Sequence, residues 1–277
     1  MVKIEHILDQ GSGTTNEDRL IIGEHIFGVF DGATSLDNNA PRPSGQTGGS
    51  LAADIAGKTF AANHYPLNIL GQSANSAILD RMTACGIDTR RPEQVWSTSA
   101  AVIRIKEDPI KGNRMEWFQT GDSHILLLYS NGSHKILADR SDHDYETLCM
   151  MKEATDKTLD NPVLKRQVLK VRAGMNKRYG VLNGDPSALS FAAEGTESLN
   201  GVEAILLFTD GLNLPEPVPA PKKSFDSLAN EFKRLGLGGL HNKIRTLEKS
   251  DPARELYPRF KCHDDIAAIA LHLIPPV

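Results

Sequence analysis

Strand-forming segments in this sequence occur in antiparallel groups, and helical segments lie between the groups rather than between every two strands. An Asn-Gly dipeptide at 131–132 joins the apolar segments 124–129 and 134–137, which is a strong signal for a two-residue hairpin turn. Residues 19–22 and 26–30 flank a second short turn. The regular alternation of strand and helix that is typical of a parallel sheet is missing. This order predicts antiparallel sheets with helices packed on their outer faces, in one domain.

Further strands and helices are predicted from apolar residues that recur with the period of each element. The Pro-rich segment 215–221 cannot be helix or central strand, so it is predicted to be an extended surface loop. The additional predicted strands are 99–105, 115–120, 188–191, 204–208 and 266–271. The predicted helical regions are 46–62, 68–84, 144–173 (with a break at 161–162) and 224–249 (with a break at 236–239).

Charge and composition exclude several classes of protein. The 277 residues carry 35 acidic and 31 basic side chains, a net charge of −4, which excludes a generally basic surface for nucleic acid. No apolar run approaches the roughly 18 residues of a membrane span, and the first residues lack the apolar stretch of a signal peptide. Cys85, Cys149 and Cys262 are far apart and indicate no disulfide framework. We therefore expect a cytoplasmic protein that binds neither nucleic acid nor membrane.

Acidic side chains recur where apolar strands begin or end. Asp31 and Asp210 each follow a strand and precede a glycine, and the pair Asp264 and Asp265 directly precedes the last predicted strand. A rigid sheet can hold such carboxylates beside one cleft, and the glycine lets a backbone carbonyl approach it. Converging carboxylate and carbonyl oxygens suit Mg²⁺ or Mn²⁺. Each acid alone is equally well a turn or cap residue, so the metal-site hypothesis depends on the set. The other members of the set are Glu17, Asp18 and Asp122.

Short motifs around these acids resemble those of the metal-dependent Ser/Thr protein phosphatases of type 2C. They occur in the family's order along nearly the whole chain, and they are most similar to divergent bacterial members. The resemblance implies an α+β fold, a four-layer αββα sandwich of two antiparallel β-sheets flanked by helices. It implies one catalytic domain over residues 1–277, with a flap-like insertion around 139–180. The matching segments are 16–18 (Asn-Glu-Asp), 29–32 (Val-Phe-Asp-Gly), 97–101 (Ser-Thr-Ser-Ala-Ala), 121–123 (Gly-Asp-Ser), 206–211 (Leu-Leu-Phe-Thr-Asp-Gly) and 263–268 (His-Asp-Asp-Ile-Ala-Ala).

The resemblance also implies a centre of two Mn²⁺ or Mg²⁺ ions. Asp31 would bridge both ions, and Asp210 and Asp264 would complete the first site. The Gly32 carbonyl would bind the second ion. The acidic pair Glu17 and Asp18 would contact that ion directly or through water. Asp122 matches an aspartate that can help to hold a third ion in bacterial relatives. The catalytic residues implied in this way are Asp18, Asp31, Asp210 and Asp264.

The implied reaction is hydrolysis of phosphoserine and phosphothreonine in proteins by a metal-activated water, without a phosphoenzyme. Two divalent ions about 3.5–4 Å apart lower the pKa of a shared water and offset the charge that develops on the phosphoryl oxygens. The chain has no Cys-x5-Arg motif around its three cysteines, which agrees with a reaction without a cysteine nucleophile. The expected partners are a phosphorylated protein substrate and a cognate Ser/Thr kinase, and the expected state is a monomer.

Two departures from the family pattern leave alternatives open. Gly13 stands where many members have an arginine that binds the substrate phosphate, and Ala33 stands where many have a histidine proposed as general acid. Arg19 and Arg42 are candidates to replace the arginine, although each is equally well a solvated surface charge. The departures favour a weak or inactive pseudophosphatase that acts as a binding module. The retained acids favour an active enzyme, and a hydrolase of small phosphoesters is the third alternative.

Two other catalytic interpretations are weaker. Ser123 in Gly-Asp-Ser could be an esterase nucleophile, but none of the nine histidines has an aspartate three residues before it. Residues 52–59 end in Gly-Lys-Thr, but a P-loop needs glycine where Ala52 stands.

Overall fold

Two five-stranded antiparallel sheets pack face to face in the computed structural model. It describes residues 2–33, 36, 45–107, 112–138, 142–158, 160–220, 222 and 224–273. The first sheet contains, in spatial order, β1 (Val2–Asp9), β10 (Ile266–Leu273), β9 (Val202–Phe208), β6 (His124–Tyr129) and β7 (His134–Ile136). The second sheet contains, in spatial order, β2 (Arg19–Ile22), β3 (Ile26–Ala33), β4 (Ser97–Lys106), β5 (Arg114–Thr120) and β8 (Ala193–Ser198).

Helices cover the outer faces of both sheets. The helices α1 (Gly48–Ala61) and α2 (Leu67–Ala84) pack on the second sheet, and α5 (Asp226–Ser250) packs on the first. The shorter α3 (Tyr145–Glu153) and α4 (Pro162–Arg172) pack against each other. No helix within the described ranges combines the length and the apolar character needed to cross a membrane. This arrangement confirms the predicted four-layer αββα sandwich.

The central strands are apolar on both faces because each face is covered. On β3, Val29 packs between the sheets, whereas Phe30 packs against α1 and α2. On β9, Leu207 packs between the sheets, whereas Leu206 packs against α5. Strands that are buried on both sides read as continuous apolar runs, which is how these segments appear in the sequence.

Helix boundaries follow local signals that the sequence analysis identified. The Asn161 side chain accepts hydrogen bonds from the backbone N–H groups of Val163 and Leu164, and Pro162 occupies the first turn of α4. This is a standard N-cap followed by proline, and it divides the predicted region 144–173 into α3 and α4. The predicted break in the last helix lies at Gly236, where φ is 68°.

One sequence prediction about strands was wrong, and one strand was not predicted. Residues 188–191 form a 3-10 turn rather than a strand, because the Asp185 carboxylate accepts hydrogen bonds from the backbone and hydroxyl of Ser187. The strand β8 begins after this turn. Strand β1 was missed, since it lies at a sheet edge and pairs with β10, more than 250 residues away. Its partner could not be read from the local sequence.

Candidate metal centre

Strand ends from both sheets bring predicted acidic residues to one place in the sandwich. Asp31 lies on β3, Asp122 lies in the turn between β5 and β6, and Asp210 follows β9. Carboxylate oxygens of these three residues all lie within 4.8 Å of one another. A hard divalent cation binds each oxygen at roughly 2.0–2.6 Å, so this spacing approaches that of ligands to one ion. Three of the predicted ligands therefore converge.

Asp31 is buried among other carboxylates whose negative charge is not balanced by nearby positive charge. Burial raises the pKa of the Asp31 carboxyl well above its ordinary value. The neighbouring carboxylates of Asp18, Asp210, Asp122 and Asp264 raise this pKa further. A divalent cation among these groups would reverse the effect, because opposite charge favours the ionised form.

Asp18 is buried beside the end of β9. Burial raises the pKa of Asp18 to about 8, and repulsion from Asp264 and Asp265 contributes in the same direction. A hydrogen bond of 2.6 Å from the Thr209 hydroxyl to Oδ2 of Asp18, together with the charge of Lys261, opposes this increase in pKa. Asp18 therefore belongs to the same group of carboxylates as Asp31.

Glu17 and Gly32 meet at a close approach of backbone segments. The Glu17 Oε1 atom is buried and has no hydrogen-bond partner among the described residues. A buried carboxylate oxygen without a donor is costly unless a ligand binds it. A Cβ at position 32 would lie 2.3 Å from the Gly49 carbonyl oxygen and 2.7 Å from that of Glu17. Only glycine fits there.

Asp264 and Asp265 have different surroundings. The two carboxylate oxygens of Asp265 accept hydrogen bonds from the backbone N–H groups of Gly11 (2.7 Å) and Glu17 (2.9 Å). Asp265 thus ties the loop that carries Glu17 to the start of β10. The Oδ1 atom of Asp264 instead accepts a hydrogen bond of 2.7 Å from the Lys261 ammonium. Asp264 is thus the member of the pair whose carboxylate accepts no hydrogen bond from the backbone of the Glu17 loop among the described residues.

Asp265→Ala is expected to destabilise the protein by about 2–3 kcal/mol, because it removes the acceptor of two backbone N–H groups. Urea denaturation of the metal-free protein measures this change. Asp54→Ala is a suitable control, since Asp54 forms an exposed ion pair with Lys58 and such pairs contribute little. A stability equal to that of wild type would show that Asp265 does not hold the loop.

A cavity of about 180 Å³ adjoins the acidic cluster. Asp122, Asp210 and Asp264 line it. The lining also contains apolar side chains from α3, the 214–220 loop, the start of α5 and the loop after α5. These apolar lining residues are Leu148, Leu214, Pro215, Pro219, Ala220, Phe225, Leu228, Pro258 and Phe260. Pro215, Glu216, Pro219 and Ala220 of the predicted Pro-rich loop therefore line the cavity, while Pro221 lies outside the described residues.

His143 lies in the same cavity, within the predicted flap-like segment 139–180, of which residues 139–141 and 159 lie outside the described ranges. Its ring stacks on Tyr179 with the ring centres 3.9 Å apart. Its Nε2 atom is 3.7 Å from Asp122 and 3.6 Å from Asp144. The sequence analysis missed His143 because no motif surrounds it.

The other residues that the sequence singled out have structural contacts. Ser123 is buried, and its hydroxyl lies 2.6 Å from that of Ser99, which disfavours an esterase nucleophile. Arg19 donates hydrogen bonds to the backbone carbonyls of Asn16 and Asp18 and to the Ser50 hydroxyl, so it holds the acidic loop. Arg42 lies outside the described residues.

Comparisons with known proteins identify the family of the chain and its fold. A family model described as Protein phosphatase 2C matches residues 10–247. The fold is similar to that of the Mycobacterium tuberculosis serine/threonine phosphatase PstP/Ppp, with 17% identity, a TM-score of 0.58 and 98% of both chains covered. A structure of the PstP catalytic domain in complex with two manganese ions has 16% identity and a TM-score of 0.57, with 99% of this chain and 98% of that chain covered.

A third similar structure is the Ser/Thr phosphatase MsPP from Mycobacterium smegmatis in complex with cacodylate, with 15% identity and a TM-score of 0.56 over 98% of both chains. At such low identity these structures show the fold. No curated protein sequence matches the chain.

Proposed function

Since the chain belongs to the protein phosphatase 2C family, we propose that it is a metal-dependent phosphatase that hydrolyses phosphoserine and phosphothreonine in proteins. The observation that carries the proposal is the convergence of the Asp31, Asp122 and Asp210 carboxylates within 4.8 Å of one another beside a cavity. Each additional carboxylate raises the pKa of its neighbours, so the arrangement costs free energy unless cations bind among the carboxylates.

The residues present fit Mn²⁺ or Mg²⁺. Every candidate ligand is an oxygen, which is the donor that these hard cations prefer. The buried Glu17 Oε1 atom has no protein donor among the described residues. We infer that Asp31, Asp210 and Asp264 with the Gly32 carbonyl hold two ions, that Glu17 and Asp18 contact one of them, and that Asp122 takes part in binding a third. The two manganese ions in the similar PstP structure support this proposal.

The protein's own residues prepare the site for phosphoester hydrolysis. When bound, the divalent ions supply a water of lowered pKa and positive charge opposite the phosphoryl oxygens. Thr209 holds Asp18, and Asp265 holds the loop of Glu17, so the oxygens are oriented before substrate arrives.

The absence of a phosphoenzyme is part of the proposal. Among the described residues that line the cavity there is no cysteine, and Ser123 is buried with its hydroxyl bonded to Ser99. A cysteine or Ser123 nucleophile is therefore disfavoured. We propose direct attack by a water that divalent ions would activate.

Purified protein with Mn²⁺ is expected to hydrolyse p-nitrophenyl phosphate and a phosphothreonine peptide, and EDTA is expected to reduce both rates to background. The readouts are released p-nitrophenol and inorganic phosphate. Metal-loaded protein that hydrolyses neither substrate would favour the pseudophosphatase. Hydrolysis of p-nitrophenyl phosphate without hydrolysis of any phosphopeptide would favour the small-phosphoester hydrolase. The cognate kinase, the monomeric state and the cytoplasmic location stay predictions.

A further inference from the structure

The cavity beside the acidic cluster has two permanently charged basic side chains among its described lining residues, Arg259 and Lys261. Both lie in the loop between α5 and β10, shortly before Asp264. A phosphomonoester dianion that enters this cavity meets several carboxylates, so the availability of these two cations decides how it can bind.

All N–H donors of the Arg259 side chain form hydrogen bonds that stabilise its own loop. Its Nε donates a hydrogen bond to the Cys262 carbonyl. Its two terminal nitrogens donate to the Asp251 carboxylate and to the carbonyls of Tyr257, Glu248 and Asp251. A guanidinium has five N–H donors, and all five are used in these bonds. Arg259 cannot bind a ligand without releasing the loop.

Lys261 is in a different position. Its ammonium donates one hydrogen bond, of 2.7 Å, to Oδ1 of Asp264, and no other bond among the described residues. An ammonium has three N–H donors, so two stay available. The side chain is 39% exposed and borders the cavity.

The contact between Lys261 and Asp264 also leaves room for a divalent ion. The ammonium contact is at Oδ1 of Asp264, which leaves Oδ2 of the same carboxylate for a divalent ion. One carboxylate can thus hold the ion and the ammonium next to each other.

Charge balance indicates why a further cation is needed. Two divalent ions carry four positive charges, which is one fewer than the carboxylates of the proposed centre provide when ionised. Such a centre would still repel a dianion unless another positive charge lay beside it. The carboxylates counted here are Glu17, Asp18, Asp31, Asp210 and Asp264.

We propose that Lys261 binds the phosphoryl group of the substrate and thereby supplies the positive charge that Gly13 does not. This inference rests on the proposed function for the identity of the anion. Lys261 would donate its two remaining N–H groups to phosphoryl oxygens while Asp264 keeps the ammonium beside the metal centre.

Lys261→Met keeps most of the side-chain stem and removes the charge, and Lys261→Arg restores a cation. Charge-assisted hydrogen bonds of this kind correspond to a change of about 10- to 100-fold in affinity. With Mn²⁺-loaded protein we expect Lys261→Met to raise the KM for p-nitrophenyl phosphate by that factor. We expect it to weaken the binding of inorganic phosphate, measured by calorimetry, by a similar factor. Lys261→Arg should recover part of both, and Lys58→Met is the control, because Lys58 forms a similar ion pair with Asp54 on an exposed helix face.

The phosphate titration separates this inference from the proposed function. Protein without turnover that still binds phosphate through Lys261 would contradict the proposed enzyme and support the role of Lys261. Unchanged KM and unchanged phosphate affinity in Lys261→Met would overturn that role. Tighter Mn²⁺ binding by Lys261→Met with unchanged phosphate affinity would show that Lys261 only neutralises Asp264, and would also overturn it.

Discussion

Asp31→Asn is expected to abolish the metal-dependent phosphatase activity and, at the same time, to stabilise the metal-free protein. Loss of a residue that only supports a ligand costs about 10–100-fold, so loss of a bridging ligand should cost at least about 100-fold. The stabilisation has a separate cause. Burial and the carboxylates around Asp31 raise its pKa well above the ordinary value, which means that the ionised Asp31 carboxylate destabilises the metal-free fold. Asparagine carries no charge and removes this effect.

The kcat for p-nitrophenyl phosphate and the melting temperature in EDTA measure the two halves of this prediction. For a chain of this length about 1 kcal/mol corresponds to roughly 2–4 °C, so an increase of a few degrees is expected. Asp54→Asn, which changes an exposed carboxylate, should alter neither quantity. Activity above a tenth of wild type would contradict the bridging role. Lost activity together with a lower melting temperature would show instead that Asp31 stabilises the folded protein.

The free energy of unfolding of the metal-free protein is expected to fall as the pH rises from about 4 to about 8. The folded-state pKa of Asp18 is about 8, compared with 3.8 for an ordinary aspartate. Between these values the folded protein holds a proton that the unfolded chain has released, so stability decreases with pH. The slope is at most about 1.4 kcal/mol per pH unit for each such group. The raised pKa of Asp31 also makes the free energy of unfolding fall as the pH rises.

Carboxylates with lowered pKa do not obscure this trend. The pKa values of Asp9 and Asp251 are lowered despite burial, because they accept hydrogen bonds from neighbouring donors that include Arg245 and Arg259. Their contribution is lost only as the pH falls below about 4. The two groups of acids therefore act in different pH ranges.

Urea denaturation at pH 5, 6.5 and 8, with EDTA or with saturating Mn²⁺, provides the test. Mn²⁺ should flatten the dependence on pH and stabilise the protein most at pH 8, where the carboxylates are ionised. Asp18→Asn should weaken the dependence in EDTA. Stability that rises between pH 5 and pH 8 in EDTA would show that the acidic cluster does not strain the metal-free fold.

Most elements of the fold could be predicted from the sequence because their signals are local. The signals are the continuous apolar runs of β3 and β9, the Asn-Gly turn before β7 and the Asn161-Pro162 start of α4, and each depends on neighbouring residues. The strand β1 could not be predicted, because its partner β10 lies at the other end of the chain.

Some residues of the candidate site could likewise be predicted from the sequence, and others could not. Asp31, Asp210 and Asp264 stand out in the sequence because each borders an apolar strand. The roles of Asp265, Arg259 and Lys261 could not be read there. Lys261 stands three positions before the Asp264-Asp265 pair, and this position is the only local indication of its proposed role. Arg259 lies in the same loop, so the sequence does not distinguish the two cations.

Local patterns in the sequence predict most of the strands and helices, and they place acidic side chains at strand ends. These properties depend on side-chain chemistry and periodicity over a few residues. The fold alone establishes that Asp265 holds the loop of Glu17 while Asp264 lines the cavity, and that Lys261 keeps N–H donors available whereas those of Arg259 are used. The cause is that each polar group has few donors and acceptors. Which residues share them depends on contacts such as that between Gly11 and Asp265, 254 residues apart.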